Sequence, residues 1–125
     1  MTVIRNAETR RSETPGGIMT TFASPTQGGS SGSLWKVEAK PGAAGPVHDF
    51  DCEQVWNWLA GAATVKLDGE THEVTAGDTI VMPAHTVRQV LADAITGYTA
   101  IVTAPGSARA FGPDGAEFGV PPWIA

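Results

Sequence analysis

From Leu34 to Ala39 the chain alternates, setting Trp35, Val37 and Ala39 on one face and Leu34, Lys36 and Glu38 on the other. A period of two is that of an extended strand with one face turned to a core. The period returns from Gln54 to Leu59, with Gln54, Trp56 and Trp58 together and Gly61 expected to end the strand. Ala63, Val65 and Leu67 carry it on to Asp68-Gly69. Both turn residues tolerate positive φ, so a tight hairpin is predicted, with Glu70 to Val74 returning antiparallel. Ala76-Gly77-Asp78 predicts the next turn. Thr79 to Met82 follows as a short strand stopped by Pro83, which has no N–H to give the ladder. Val87 to Ala92 and Gly97 to Thr103 complete the set. No stretch carries helical periodicity, and many short strands at this spacing predict an all-β domain, a closed barrel or jelly roll.

The flanks read differently. Residues 1–32 form a polar leader with one apolar island, Ile18 to Phe22, and a Gly/Ser-rich loop between Pro25 and Gly32. This leader is expected to wrap the barrel or pair at a sheet edge. Residues 33–104 hold the barrel, and the Gly/Pro-rich tail, 105–125, is expected to pack over it through Phe111, Phe118 and Trp123.

Composition sharpens this picture. A chain of 125 residues makes one domain with one core, and 42 % hydrophobic against 17 % charged residues is globular. The 15 glycines and 9 prolines suit strands and turns better than long helices. With a net charge of -5 and a pI near 5.0, and eight scattered Lys and Arg residues, no basic stripe exists for nucleic acid. Arg5, Arg10 and Arg11 have no apolar stretch behind them, so a secretory signal is not predicted, and no run reaches membrane-spanning length. The single cysteine, Cys52, cannot form an intrachain disulfide, which points to the cytoplasm and to a small structural side chain.

Two spaced patterns carry the chemistry. In the first, Gly42 is followed after five residues by His48-Asp49-Phe50, then by Gln54 after three more and Gly61 after six more. In the second, Gly77 is followed after five residues by Pro83-Ala84-His85, then by Arg88 after two and Ala92 after three. Together they resemble the paired motifs of the cupins, over roughly residues 34–103, and in particular small single-domain cupins of the polyketide-pathway kind. The resemblance implies a barrel with a pocket and commonly a homodimer, in which the leader could add a strand to the partner. It does not by itself imply an activity.

In typical cupins four motif positions hold Fe, Mn, Ni or Zn. Carried over, these positions are His48, Phe50, Gln54 and Arg88. Gln occurs at that position in cupins resembling polyketide-pathway enzymes, but Phe50 has no donor atom and Arg88 is a permanent cation. At most His48 and Gln54 remain as metal ligands, too few for a strong site, so the resemblance implies a degenerate metal site and no cofactor is expected. His85 replaces the glycine of a Pro-x-Gly turn and His72 lies on an outer hairpin, so both are expected to be solvated. The carboxylates Asp49, Asp51 and Glu53 are expected in a solvated loop at the barrel mouth, with Asp49 or Asp51 able to set the tautomer of His48.

A pocket holding His48, Gln54 and Arg88 among Trp35, Phe50, Trp56, Trp58 and Met82 is a small-molecule site in outline. The alternative for the aromatics is that they fill a small barrel. An inward guanidinium needs a partner, which is either internal, Gln54 or Asp51, or a ligand anion held through paired N–H groups. The expected function is a metal-free or metal-optional lyase, isomerase or cyclase acting on a flat anionic or carbonyl-bearing molecule. In it His48 shuttles protons, Arg88 stabilises an oxyanion and Gln54 orients the substrate. Two alternatives stay open. One is a binding or sensing barrel without chemistry, and the other a dioxygenase or isomerase whose metal is held by His48, Gln54 and a further group.

Overall fold

The computed structural model describes residues 1–125. A single 3-10 turn, Asn6–Glu8, precedes eleven strands. They are β1 Arg10–Thr14, β2 Gly17–Ala23, β3 Gly32–Ala39, β4 Asp49–Phe50, β5 Gln54–Leu67, β6 Glu70–Thr75, β7 Thr79–Met82, β8 Arg88–Ala92, β9 Tyr98–Pro105, β10 Ala110–Phe111 and β11 Glu117–Gly119. No helix is long and apolar enough to cross a membrane.

Eight strands form one curled antiparallel sheet in the order β1-β2-β3-β9-β5-β6, with β7 and β8 also paired to β5. A three-stranded sheet, β11-β10-β4, stands beside it. The alternation seen in the sequence becomes the inside and outside of this half-barrel. Trp35 lies opposite Val102, Val102 opposite Trp56, and Trp56 opposite Ile80. Directly opposed residues share a face, so this row lies on the concave side with Val37, Trp58, Ala100 and Met82, all buried. The outward partners Leu34, Lys36, Val81 and Thr103 are at least partly exposed.

The hairpin at Asp68-Gly69 forms as predicted, with φ of 49° and 80°, the left-handed pair that a type I′ turn needs. Gly61 behaves otherwise than expected. The strand does not end there. β5 runs through it for 14 residues, pairing β9 and β7 with its first half and β6 and β8 with its second. The register slips between Trp58 and Ala60, and Gly61 adopts φ of 76°. A glycine in the left-handed region at a bulge bends a strand without breaking its ladder, so one long strand serves both halves of the fold.

Residues 10–23 of the leader form the β1–β2 hairpin, and β2 pairs with β3 from Ile18↔Glu38 to Ala23↔Leu34. The tail lies against this region, but not through Phe118, which is 68 % exposed; Ile124 is the fully buried residue. Side-chain hydroxyls and one guanidinium hold the main chain there: Thr21 donates to the Trp123 carbonyl, Ser33 to that of Ile124, and Ser24, Thr26 and the Arg10 Nη2–H to the Ala125 oxygen.

Candidate functional site: an arginine in an aromatic cavity

The site begins with a backbone bridge. The His48 N–H donates to the Arg88 carbonyl at 3.1 Å and the Arg88 N–H to the His48 carbonyl at 2.9 Å. Residues so paired point the same way, which brings the two side chains together from positions forty apart in the chain.

His48 Nδ1 lies 2.8 Å from the Pro46 carbonyl oxygen. A carbonyl only accepts, so Nδ1 carries the proton and Nε2 presents its lone pair. The expectation that Asp49 or Asp51 sets this tautomer is corrected: Pro46 sets it. Arg88 Nε donates to His48 Nε2 at 3.5 Å, a long contact. Burial, and then the Arg88 charge, hold the His48 pKa below its ordinary 6.5 against the opposing Pro46 carbonyl and Asp49, so the ring is neutral at pH 7.

Arg88 is 2 % exposed and forms no salt bridge. Its guanidinium carbon stands 4.5 Å from the centre of the Phe50 ring, a cation–π contact, and Phe50 meets His48 edge-on at 5.2 Å. Burial pulls its pKa down to about 10, with Asp49 acting weakly the other way. Neither expected internal partner is bound. Asp51 instead accepts from the Arg109 N–H at 2.8 Å and the Cys52 thiol at 3.3 Å, and Gln54 bonds elsewhere. Arg88 Nη1 is buried without a partner.

Gln54, 1 % exposed, accepts on Oε1 from the Trp56 indole N–H at 3.1 Å, while its Nε2 is buried and unpartnered. Trp56 stacks on Trp58, with centroids 5.5 Å apart and planes 26° apart. The cavity they enclose measures about 450 Å³ and is lined by His48, Gln54, Arg88, Trp35, Phe50 and Trp56 among others. Trp58 and Met82 do not line it. Both are fully buried, Trp58 lying behind Trp56, because the inward face of β5 passes from cavity wall into packed core toward the bulge.

Several lining residues were not singled out in the sequence. Tyr98 opens β9 on the inward face, and burial raises the pKa of its phenol above the ordinary value. Its alternation with Ala100 and Val102 was a usable signal. Met19, Pro15 and Pro113 come from the flanks and Pro46 from the loop before β4, where no local pattern marks them as cavity wall, while Trp123 and Phe118, expected only to pack the tail over the barrel, line the cavity as well. No Asp or Glu lines the cavity. His85 is exposed with φ of 58°, a left-handed backbone position that favours glycine, and His72 sits 3.3 Å from Glu70 on the outer hairpin.

This donor set does not fit a divalent metal. No three His, Cys, Asp or Glu side chains converge anywhere in the chain. The His48 nitrogen that would face an ion faces a guanidinium instead, whose like charge would repel one.

Residues 35–94 match the family model described as Cupin domain, and the chain is an all-β protein with a single cupin domain. In structure it is similar to a cupin 2 domain-containing protein from Halorhodospira halophila, at 20 % identity over 82 % of this chain and 74 % of that one with a TM-score of 0.75. It is similar also to the polyketide cyclase RemF from Streptomyces resistomycificus, at 20 % identity, 84 % and 79 % coverage and a TM-score of 0.71. KdgF from Halomonas sp. matches at 23 % identity, 84 % and 94 % coverage and a TM-score of 0.69. At these identities the likeness is one of fold. No curated protein matches the chain.

Proposed function

We propose that the cavity binds a flat, anionic or carbonyl-bearing small molecule and that the chain acts on it as a metal-free or metal-optional enzyme of the lyase, isomerase or cyclase type. The observation that carries this reading is Arg88: a guanidinium 2 % exposed, without a counter-ion, in the wall of a cavity that contains no carboxylate. An isolated buried cation is costly unless something compensates it, and a ligand carboxylate, enolate or phenolate does so with good geometry. Trp35, Phe50 and Trp56 supply flat apolar walls for the rest of the molecule.

In this scheme Arg88 turns its N–H groups onto the ligand anion and frees the His48 Nε2 lone pair. Neutral His48 then takes a proton from a carbon acidified by the adjacent carbonyl, Arg88 holds the enolate that forms, and the imidazolium returns the proton to another atom of the same molecule. The similarity in fold to RemF, a polyketide cyclase, supports the cyclase form of this reading.

A second reading, a binding barrel without chemistry, has one observation in its favour. The His48 lone pair already accepts from Arg88, so its basicity is engaged until a ligand displaces the guanidinium. Calorimetric titration with a panel of aromatic and conjugated carboxylates and phenolates tests both. Binding that Arg88→Met reduces by about a hundredfold, the scale of a lost charged hydrogen bond, supports the site. Conversion of a bound ligand, abolished by His48→Ala, marks the enzyme, and unchanged ligand after long incubation marks the binding barrel. No binding by any member of the panel overturns the site itself.

A further inference from the structure

Within that site, one polar group has its orientation dictated by a neighbour. A glutamine amide can present either its oxygen or its NH₂ to a cavity, and the two faces differ little in size. An indole N–H only donates. Because Trp56 Nε1 donates to Gln54 at 3.1 Å, the atom facing it must be Oε1, and Nε2 is directed elsewhere. The indole is itself held, stacked on Trp58, which is fully buried. Packing of Trp58 thus fixes Trp56, and Trp56 fixes the amide.

The consequence lies in what the cavity can offer. Gln54 Nε2 and Arg88 Nη1 are both buried donors with no partner, and both residues line the cavity. The His48 nitrogens are occupied by the Pro46 carbonyl and the Arg88 Nε–H. With no Asp or Glu in the wall, the two buried polar groups there that lack a partner are both donors.

We propose that Trp56 is a specificity-determining positioning residue: by locking Gln54 as a donor, it restricts the cavity to ligands whose polar head only accepts hydrogen bonds, carboxylates above all, and rejects carboxamides of the same shape. This rests on the proposed binding of anionic ligands and narrows it. A carboxamide brings its own NH₂ against the Gln54 NH₂, leaving donors unpaired against a largely apolar wall. Sites built on hydrogen-bond complementarity reject mismatched isosteres strongly for this reason.

The test compares 2-naphthoate with 2-naphthamide by isothermal titration calorimetry on the wild-type protein, Trp56→Phe and Gln54→Leu. Phe keeps an aromatic ring against Trp58 but removes the N–H, so the amide can turn over and accept. The wild-type protein is expected to prefer the carboxylate, and Trp56→Phe to lower the carboxylate-to-carboxamide affinity ratio by about tenfold, the scale of one mismatched hydrogen bond. Gln54→Leu removes the locked NH₂ directly, is expected to lower the ratio similarly, and serves if the Trp56 variant does not fold. General loosening of the site would weaken both ligands together and leave their ratio alone. A ratio unchanged in every folded variant, with carboxylate binding still dependent on Arg88, overturns this inference and spares the anion site. Failure of the wild-type protein to bind 2-naphthoate overturns it together with its premise for this ligand class.

Discussion

His48 shows how far a neighbouring cation decides the state of a side chain. Burial and Arg88 both disfavour its charged form, so its titration, followed by NMR of the ring protons, is expected at a pH below 6.5. A midpoint at or above 6.5 would remove it as a neutral base at mild acidity. The same lowering has a sign for stability. Between the folded value and 6.5 the unfolded chain binds the proton first, so stability falls as pH drops through that window. Arg→Met at position 88 should act oppositely to most core changes. Its fall from 12.5 to about 10 corresponds to about 3 kcal/mol of burial cost, against about 1 kcal/mol for the lost hydrogen bond to His48. Arg88→Met is therefore expected to raise the free energy of unfolding in urea by about 1–2 kcal/mol while abolishing anion binding, a trade of stability for function. A destabilised variant would mean that the guanidinium is better compensated than its contacts indicate.

At the scale of elements, β5 carries the most. It lends Gln54 and Trp56 to the cavity, Trp58 to the core behind it, and Ala63 and Val65 to the other half of the sheet, and all of this depends on the bend at Gly61. A Cβ there would drive into the Gly97 carbonyl oxygen and force a side-chain-bearing residue to φ of 76°. Gly61→Ala is expected to cost at least about 2 kcal/mol by equilibrium denaturation, and a near-neutral result would show that the bulge relaxes freely. Strand periodicity made β3, β5, β6 and β7 legible in advance, because a half-buried strand writes its two faces into alternate residues. It could not tell a glycine that ends a strand from one that bends it, since both need the same backbone freedom. The flanks were harder. Phe118 is hydrophobic yet exposed and Ile124 is buried, because tail packing here follows hydroxyl-to-carbonyl bonds from β2, β3 and their connecting loop, which have no period to read.

For the molecule as a whole, the spacing of the two motifs was enough to place His48, Phe50, Gln54 and Arg88 in one neighbourhood. What spacing could not supply was orientation: which nitrogen of His48 holds the proton, which end of the Gln54 amide is presented, and whether Trp58 faces a cavity or a neighbour. The first two are set by contacts between residues two apart, His48 with the Pro46 carbonyl and Gln54 with the Trp56 indole, which no period marks, and the third by how β5 packs beside the inward face of β9.

The strand order has a further consequence for how the chain is made. β9 occupies the seat between β3 and β5, although both neighbours precede it in the sequence. During synthesis the nascent chain therefore carries two facing strands with bare edges until residue 105 has left the ribosome. Unpaired edges invite pairing with other chains, so the interval between translating Leu67 and Pro105 is when this protein is most exposed to co-translational aggregation and most in need of a holding chaperone.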